Sequence, residues 1–272
     1  MKIISLNTNY INRSFCANNS EFDLQAKRPA VYEKGQIKSL KGDGVFNRHI
    51  TEYCRADMNW LNLGRIIKQK YPDFNDVNFI VYASSTGEEP YSLEILLNKI
   101  YGSYVPIKAF DISQSIIDEN IKHQKEGVII ELKDARKIFD TLNLDSFSDY
   151  FKADKITGDI KLNRKITDSV EFKRSNILED IDKIDSSKPS VIFARNMWPY
   201  VKNSEYKEFC EKLRNKSAPK SLFIIGVYDY NGESYLLNSN SFPNFLSKSG
   251  FKPVSRGFLE SFRTFNLIFE KK

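Results

Sequence analysis

A short run of strand-forming residues that passes through a turn into an amphipathic helix is the feature that most limits how this chain can fold. Residues 77–82 are mostly β-branched or aromatic, and residues 83–87 are small or polar. Pro90 suits a first helical position. Apolar residues then recur at helical spacing, at Leu93, Leu96, Leu97, Ile100 and Tyr101. This pattern predicts the first strand and helix of a parallel α/β sheet.

The same alternation continues along the chain. Apolar residues at helical spacing between Trp60 and Tyr71 predict a helix that leads into the first strand. A second strand is expected to end in Asp111, and Ser113 can cap the helix that follows. The strands predicted after the first one are residues 105–110, 191–194, 222–227, 251–254 and 264–269. Together they indicate an α/β fold, a mostly parallel, doubly wound, Rossmann-like sheet that ends in a C-terminal antiparallel hairpin.

The chain is long enough for one substantial core with a small addition. Residues 1–48 are polar and lack a sustained period, so we interpret them as an N-terminal extension of a main domain that spans residues 49–272. Within that domain, residues 126–170 carry a helical stretch and an alternating segment around a turn at Gly158. They predict a small inserted antiparallel β subdomain.

The charges are dense but mixed, with 41 basic and 35 acidic residues and a net charge of +6. This balance argues against a dedicated nucleic-acid binder and is compatible with an acidic protein partner. The widely spaced Cys16, Cys54 and Cys210 fit no metal or redox motif. Neither a cleaved signal nor a membrane span is apparent. We therefore expect a reduced, cytoplasmic protein without a metal site.

Two carboxylates, Glu88 and Glu89, follow the only glycine of the first turn, Gly87. A dinucleotide enzyme presents bare backbone amides to a pyrophosphate there, which these carboxylates would repel, so a NAD-dependent dehydrogenase is disfavoured. They suit a ligand with a cationic end, such as S-adenosylmethionine (SAM). Asp111 stands where a carboxylate can accept ribose hydroxyls. Alternatively, the glutamates only complement the helix dipole, and Asp111 only caps the next helix.

Four segments resemble motifs of the CheR-type protein-glutamate O-methyltransferases. They lie in the family's order along the chain, at residues 51–55, 84–92, 175–178 and 192–200. The resemblance implies a class I methyltransferase fold and SAM as cofactor, with S-adenosylhomocysteine (SAH) as product. It also implies a protein or peptide substrate with an acceptor carboxylate, docked by strand addition to the inserted subdomain.

Site residues are carried over from this resemblance position by position. Glu89 is implied to contact the methionine portion of SAM, Asp111 the ribose, and Asn176 with Ile177 the adenine region. Gly87 belongs to the turn itself. The resemblance further implies that four residues line the cofactor and acceptor site, Thr51, Arg55, Arg195 and Asn196, and that Tyr200 stands beside the methyl group.

Methyl transfer to a carboxylate needs alignment but no general base, because the acceptor is already ionised at neutral pH. This agrees with a chain that has only two histidines. We assign Arg55 as the cation that orients the acceptor, and the Tyr200 hydroxyl as a second donor. The alternatives are a surface salt bridge for Arg55 and core packing for Tyr200.

The sequence departs from the family mainly near the acceptor. The first 48 residues are too short for the helical domain with which chemotaxis members begin, so chemoreceptors are not the expected substrate. His49, Cys54 and the run of Val227, Tyr228 and Asp229 stand where the family has Asn, Phe and His-Ser-Glu. Two further functions therefore stay open: methylation of another oxygen or nitrogen acceptor, and a non-catalytic binding module.

Overall fold

The structure is a computed structural model, and it describes residues 51–201, 203–230, 241–254 and 267–272. The predicted N-terminal extension, His49, Cys16 and the first residues of the last predicted strand lie outside these described residues. No helix within the described ranges is long and apolar enough to cross a membrane.

Helices and strands alternate along most of the described chain. The α-helices are α1 (Trp60–Lys70), α2 (Glu88–Tyr101), α3 (Gln114–Glu126), α4 (Leu132–Leu142), α5 (Phe147–Tyr150), α6 (Arg164–Asp168), α7 (Ile177–Asp180), α8 (Asn203–Lys216) and α9 (Phe242–Lys248). The strands are β1 (Asn78–Tyr82), β2 (Ile107–Asp111), β3 (Ile129–Ile130), β4 (Phe151–Ala153), β5 (Ile160–Leu162), β6 (Val170–Arg174), β7 (Ser190–Ala194), β8 (Leu222–Ile224), β9 (Phe251–Pro253) and β10 (Ile268–Lys271).

Seven strands form the main sheet of the described residues, in the order β6-β2-β1-β7-β8-β10-β9. The first five of this order pair in parallel, and β10 pairs antiparallel with both β8 and β9. The chain runs outward from β1 to β6 and then returns to the other side of β1 at β7. This reversal places the topological switch point between β1 and β7, where open α/β sheets bind ligands. The predicted doubly wound sheet and C-terminal hairpin are confirmed.

A strand that the sequence analysis missed forms the edge of this sheet. In β6 only Val170 and Phe172 are buried, and the charged residues between and after them face outward. Such a short alternating segment lacks the continuous apolar run of a strand that is covered on both faces. The predicted insertion ended at residue 170, where β6 begins, and β6 pairs with β2 from Ile107 onward.

The helix after β1 begins earlier than predicted. Gly87 is its N-cap with a φ of 100°, so α2 starts at Glu88 and Pro90 is its third residue. Proline is tolerated there because the first N–H groups of a helix have no intrahelical partner. The predicted strand 222–227 is shorter than expected, because a 3-10 helix occupies Val227–Tyr230. Ser113 is the N-cap of α3, but its side chain makes no capping hydrogen bond.

The inserted segment forms a small antiparallel sheet in the order β3-β5-β4, as predicted. The amphipathic helix α4 buries Ala135, Ile138 and Leu142. Lys99 of α2 donates a hydrogen bond of 2.6 Å to the carbonyl of Leu142 at the end of α4. A cation at a helix C-terminus is favourable, and this contact joins the insertion to the first helix of the sheet.

Candidate functional site

The turn after β1 is held by the end of β2. The Asp111 carboxylate accepts the backbone N–H of Ser85 through Oδ2 and that of Ser113 through Oδ1, both at 3.0 Å. The Asn120 side chain donates to the Ser85 carbonyl at 2.7 Å. Ala83 and Ser85 have φ values of 54° and 47°, a strained region for non-glycine residues that these bonds stabilise. Asp111, which the sequence analysis selected as a ribose contact, therefore also holds the turn after β1 in place.

Polar groups at this turn are left without partners. The buried hydroxyls of Ser84 and Ser85 have no hydrogen-bond partner among the described residues. Gly87 is enclosed, since a Cβ there would approach the Tyr91 ring to 2.9 Å and Phe172 to 3.3 Å. Buried hydroxyls are normally satisfied, so two orphans beside a carboxylate indicate a place for a polar ligand.

The two glutamates of the first turn of α2 have different partners. The Glu88 carboxylate accepts the Thr86 hydroxyl at 2.9 and 2.7 Å. Glu89 instead pairs with the guanidinium of Arg195, which follows β7. The two carboxylates therefore belong to different parts of the site.

Arg195 also pairs with a residue that the sequence analysis did not select, Asp57. We call Asp57, Glu89 and Arg195 the Arg195 triad. The Asp57 carboxylate accepts the N–H of Val227 at 3.3 Å, and the guanidinium lies 5.8 Å from the Trp60 ring. Burial lowers the pKa of Arg195, but the two carboxylates outweigh it and raise that pKa.

Asp229 is a second buried carboxylate that the sequence analysis did not assign. It accepts the backbone N–H groups of Gly226, Asn196 and Trp198 at 2.7, 2.8 and 3.1 Å. Burial raises its pKa to about 7, although these donors lower it. A Cβ at Gly226 would overlap the Asn196 side chain, so glycine allows the close approach. Asp229 thus joins the ends of β7 and β8, at the position where the family has a glutamate.

The segment 51–55 packs on the start of α2. The buried Cys54 donates its N–H to the Ser92 hydroxyl at 2.9 Å, and that hydroxyl donates to the Glu88 carbonyl at 2.6 Å. Thr51 and Arg55 are half-buried. Between this segment, α2 and α4 lies a cavity of about 360 Å³, lined by Thr51, Glu52, Tyr53, Glu88, Lys133, Asp134 and Lys137.

The remaining predicted residues lie at the same edge of the sheet. Asn176 and Ile177 are buried directly after β6, and the Asn176 carbonyl oxygen of the side chain accepts the N–H of Leu178 at 3.1 Å. Tyr200 lies on a 3-10 helix after β7 and is 39% exposed. The structure thus links Asp111 to the turn after β1 and pairs Glu89 with Arg195, and the other predicted residues stay predictions. No cluster of three or more potential metal-ligating side chains occurs among the described residues.

This strand order and these strand ends define a nucleoside-binding site of the Rossmann-like class. The family profile for the "CheR methyltransferase, SAM binding domain" matches residues 49–236. The chain belongs to the CheR methyltransferase family.

Several solved methyltransferases are similar to this chain at low identity. They include CcbJ from Streptomyces caelestis (12% identity over 60% of this chain and 50% of that chain, TM-score 0.35). Magnesium protoporphyrin IX methyltransferase from Synechocystis PCC 6803, with bound SAM, shares 10% identity over 78% of this chain and 79% of that chain, with a TM-score of 0.38. Human N-acetylserotonin methyltransferase in complex with SAM shares 11% over 76% and 51%, with a TM-score of 0.38. The chain thus spans about half the length of some of the solved proteins it matches.

The residues present fit SAM. The unpartnered hydroxyls of Ser84 and Ser85 can serve a nucleoside, and the Asp111 carboxylate lies beside them. Glu89 offers a carboxylate to an ammonium group. Acidic side chains surround the edge where a cation would lie, and no phosphate-binding glycine loop is present in the described turn.

Proposed function

We propose that this protein transfers the methyl group of SAM to a side-chain carboxylate of a protein. The observation that carries the proposal is the meeting of Asp111, the first turn and the Arg195 triad at the switch point of the sheet. The family match supports SAM as cofactor. The acceptor class rests on Arg55 and Tyr200.

On this proposal the cofactor is held by residues after four strands. Asp111 accepts ribose hydroxyls while its backbone bonds keep the carboxylate in place. Asn176 and Ile177 border the adenine, and Glu89 binds the methionine ammonium. The bound cofactor supplies a methyl group that is already activated by its sulfonium, so the protein's task is alignment and exclusion of water. Thr51, Gly87 and Asn196 complete the surrounding wall.

The acceptor side of the proposal uses two donors. The half-buried Arg55 presents a planar guanidinium that can fix one carboxylate by two parallel hydrogen bonds. The exposed Tyr200, on the 3-10 helix after β7, provides its hydroxyl as a second donor. Both groups orient the acceptor, and neither has to move a proton.

The inserted sheet supports a peptide or protein as substrate. Its outer strands β3 and β4 each have one edge that no described strand pairs, and Ile129 of β3 is 60% exposed. Such an edge can take an added strand from a peptide. A substrate held there would be presented near the segment 51–55, which Lys137 of α4 contacts through Glu52 at 2.9 Å.

Methyl transfer to peptides tests this function. Tritium-labelled SAM is incubated with synthetic peptides that each contain one glutamate, and the product is treated with alkali. We expect label that is released as volatile methanol, as from a methyl ester. Arg55→Ala should abolish transfer and leave SAM binding intact, whereas Arg65→Ala, an exposed arginine on α1, should leave both unchanged.

Other outcomes separate the alternative functions. Label that withstands alkali would indicate a different oxygen or nitrogen acceptor. Saturable SAM binding without transfer to any peptide would favour a non-catalytic SAM-binding module. Full transfer by Arg55→Ala would contradict the role of Arg55 as the orienting cation.

A further inference from the structure

A cavity beside the candidate site has no part in the proposed function. It has a volume of about 360 Å³ and lies between the segment 51–55, the start of α2 and the first turns of α4, and we call it the α4 cavity. Its described wall carries two ammonium groups and three carboxylates, from Lys133, Lys137, Glu52, Glu88 and Asp134. The wall therefore has an excess of negative charge.

The two lysines of this wall are already paired with glutamates. Lys137 of α4 pairs with Glu52 at 2.9 Å. Lys133 pairs at 2.8 Å with Glu131, which stands just before α4 and does not line the cavity. Both cations are thus neutralised by a neighbour, and they do not balance the other carboxylates of the wall.

The other two carboxylates, those of Glu88 and Asp134, have no cationic partner within ion-pair distance among the described residues. The Glu88 carboxylate accepts the Thr86 hydroxyl at 2.9 and 2.7 Å. The half-buried Asp134 carboxylate accepts no hydrogen bond within the same ranges. The unbalanced charge of the cavity is therefore concentrated on these two groups, and it favours a cationic ligand.

A buried hydroxyl in the same wall is independent evidence for a ligand. Tyr53 is only 8% exposed, and its hydroxyl has no hydrogen-bond partner in the described part of the chain. Burial raises the pKa of this hydroxyl, and the charges of Glu88 and Asp134 raise it further, so the hydroxyl lies in the field of both carboxylates. Buried hydroxyls are normally hydrogen-bonded, which indicates that a polar ligand completes this group.

We propose that the α4 cavity binds the ammonium group of a lysine in the peptide substrate. An ammonium group has three N–H donors and no acceptor, and Glu88, Asp134 and Tyr53 offer it three acceptor groups. The two carboxylates also compensate its charge. The inference rests on the proposed function and deepens it, because it names a residue that the substrate carries besides the acceptor glutamate.

The spacing of the segment 51–55 sets where that lysine stands in the peptide. Thr51 lines the cavity, and Arg55, which orients the acceptor on the proposed function, follows four residues later. Four residues span at most about 14 Å, and an extended peptide covers that distance with the same number of residues. We therefore expect the lysine within about four residues of the acceptor glutamate.

Fluorescence anisotropy with labelled peptides tests the proposal on the full chain in the presence of SAH. Each alanine-based peptide carries one glutamate and one lysine, separated by up to about four residues, and its control carries norleucine in place of the lysine. We expect the best lysine peptide to bind on the order of tenfold more tightly than its control. Norleucine keeps the apolar stem and lacks the charge, so the ratio of the two affinities reports the ammonium group.

Matched variants locate the effect in the cavity. Asp134→Asn and Tyr53→Phe should each lower this ratio at least about threefold, while affinity for the norleucine control changes less than about twofold. A loosened fold would weaken both peptides by the same factor. Tyr53→Phe keeps the packed ring and covers the case in which Asp134→Asn does not fold. Asp140→Asn removes an exposed carboxylate from the same helix and should keep the native ratio.

Equal binding of the lysine and norleucine peptides to the native protein overturns the α4 cavity as a lysine site, and so does a ratio that neither Asp134→Asn nor Tyr53→Phe lowers. Methyl-ester formation with SAM is then measured on the same peptides. Transfer without a preference for lysine removes this inference and leaves the proposed function standing. A preference for lysine without any ester supports the cavity and contradicts the proposed function.

Discussion

The two sides of the switch point are built in different ways. On the β1–β2 side, backbone N–H groups of neighbouring turns converge on Asp111, and two hydroxyls have no partner among the described residues. On the β7–β8 side, the buried charges of Arg195 and Asp229 are compensated within the protein by residues from distant parts of the chain. The first side has hydrogen-bonding groups to spare, whereas the buried charged groups of the second side are already bonded within the protein.

This difference indicates a division of labour. A pre-bonded charge network is costly to disturb, because removing one member leaves another buried without a partner. A turn with spare hydrogen-bonding groups can accept a ligand at little cost. We therefore expect substitutions on the β7–β8 side to act first on stability, and substitutions on the β1–β2 side to act first on binding.

The largest effect is expected for Arg195→Met. It leaves Asp57 and Glu89 buried without their cation, and it should lower the free energy of unfolding by about 3–5 kcal/mol. Urea denaturation measures the change. Arg164→Met removes an exposed arginine paired with Asp168 and should cost less than about 0.5 kcal/mol. A loss below about 1 kcal/mol in Arg195→Met would contradict the expectation that substitutions on the β7–β8 side act first on stability.

A buried carboxylate on the β1–β2 side, Glu94, allows a contrasting electrostatic test, because it lacks the cationic partner that Asp57 and Glu89 have among the described residues. Glu94 of α2 is fully buried and accepts the N–H of Val105, and no cation lies within ion-pair distance of it among the described residues. Burial raises its pKa from 4.5 to about 9, while its hydrogen bonds lower it. The folded protein therefore holds this proton up to higher pH than the unfolded chain does.

The sign of the pH dependence follows directly. Below pH 4.5 both states are protonated, and between 4.5 and 9 the unfolded chain releases the proton first, so this group lowers stability as pH rises. Glu94→Gln removes that dependence. Between pH 5 and pH 8, the free energy of unfolding of Glu94→Gln, minus that of the native protein, should increase by about 2–4 kcal/mol. Urea denaturation measures both values. A difference that is flat with pH would show that Glu94 is ionised in the fold.

The two glycines that cap α2, Gly87 and Gly102, allow the cost of a positive φ to be measured separately from the cost of steric crowding. Gly87 and Gly102 both have positive φ, but a Cβ at Gly87 meets Tyr91, whereas a Cβ at Gly102 has no atom of the described ranges within 4 Å. We expect Gly87→Ala to cost about 2–3 kcal/mol and Gly102→Ala about 1 kcal/mol in thermal or urea unfolding. Equal costs would mean that the turn relaxes and is less firmly built than the bonds to Asp111 suggest.

The smallest effect is expected where the insertion meets the segment 51–55. Lys137 and Glu52 form an ion pair at 2.9 Å, in which the Lys137 side chain is 33% exposed and that of Glu52 is 55% exposed. Lys137→Ala should change the free energy of unfolding by less than about 0.5 kcal/mol. A larger loss of stability, measured under the same urea conditions, would show that this contact stabilises the fold as the β7–β8 network does.

The sequence predicted what is local. The βα units follow from apolar runs and helical spacing, and the first turn is one contiguous segment, so Gly87, Glu89 and Asp111 could be selected without a structure. The prediction that α2 begins at Pro90 was wrong by two residues, because Gly87 with its positive φ is the N-cap and α2 begins at Glu88. The edge strand β6 was missed because two buried residues do not make a readable apolar run.

Long-range ion pairs could not be predicted in this way. Asp57 and Arg195 are 138 residues apart, and nothing in the sequence near Asp57 marks it as a partner of a strand end. Asp229 was treated only as part of a departure from the family. Its three backbone donors become visible when the ends of β7 and β8 are placed side by side.

Calorimetric titration of SAM into the native protein, Asp111→Asn and Asp154→Asn tests the central claim most directly. Asp154 also accepts two backbone N–H groups, those of Ile156 and Thr157, but it lies in the turn between β4 and β5 of the insertion. A cofactor site at the ends of β1 and β2 predicts saturable binding that weakens at least about tenfold in Asp111→Asn and is unchanged in Asp154→Asn. Native affinity in a folded Asp111→Asn protein would contradict a cofactor site at this edge.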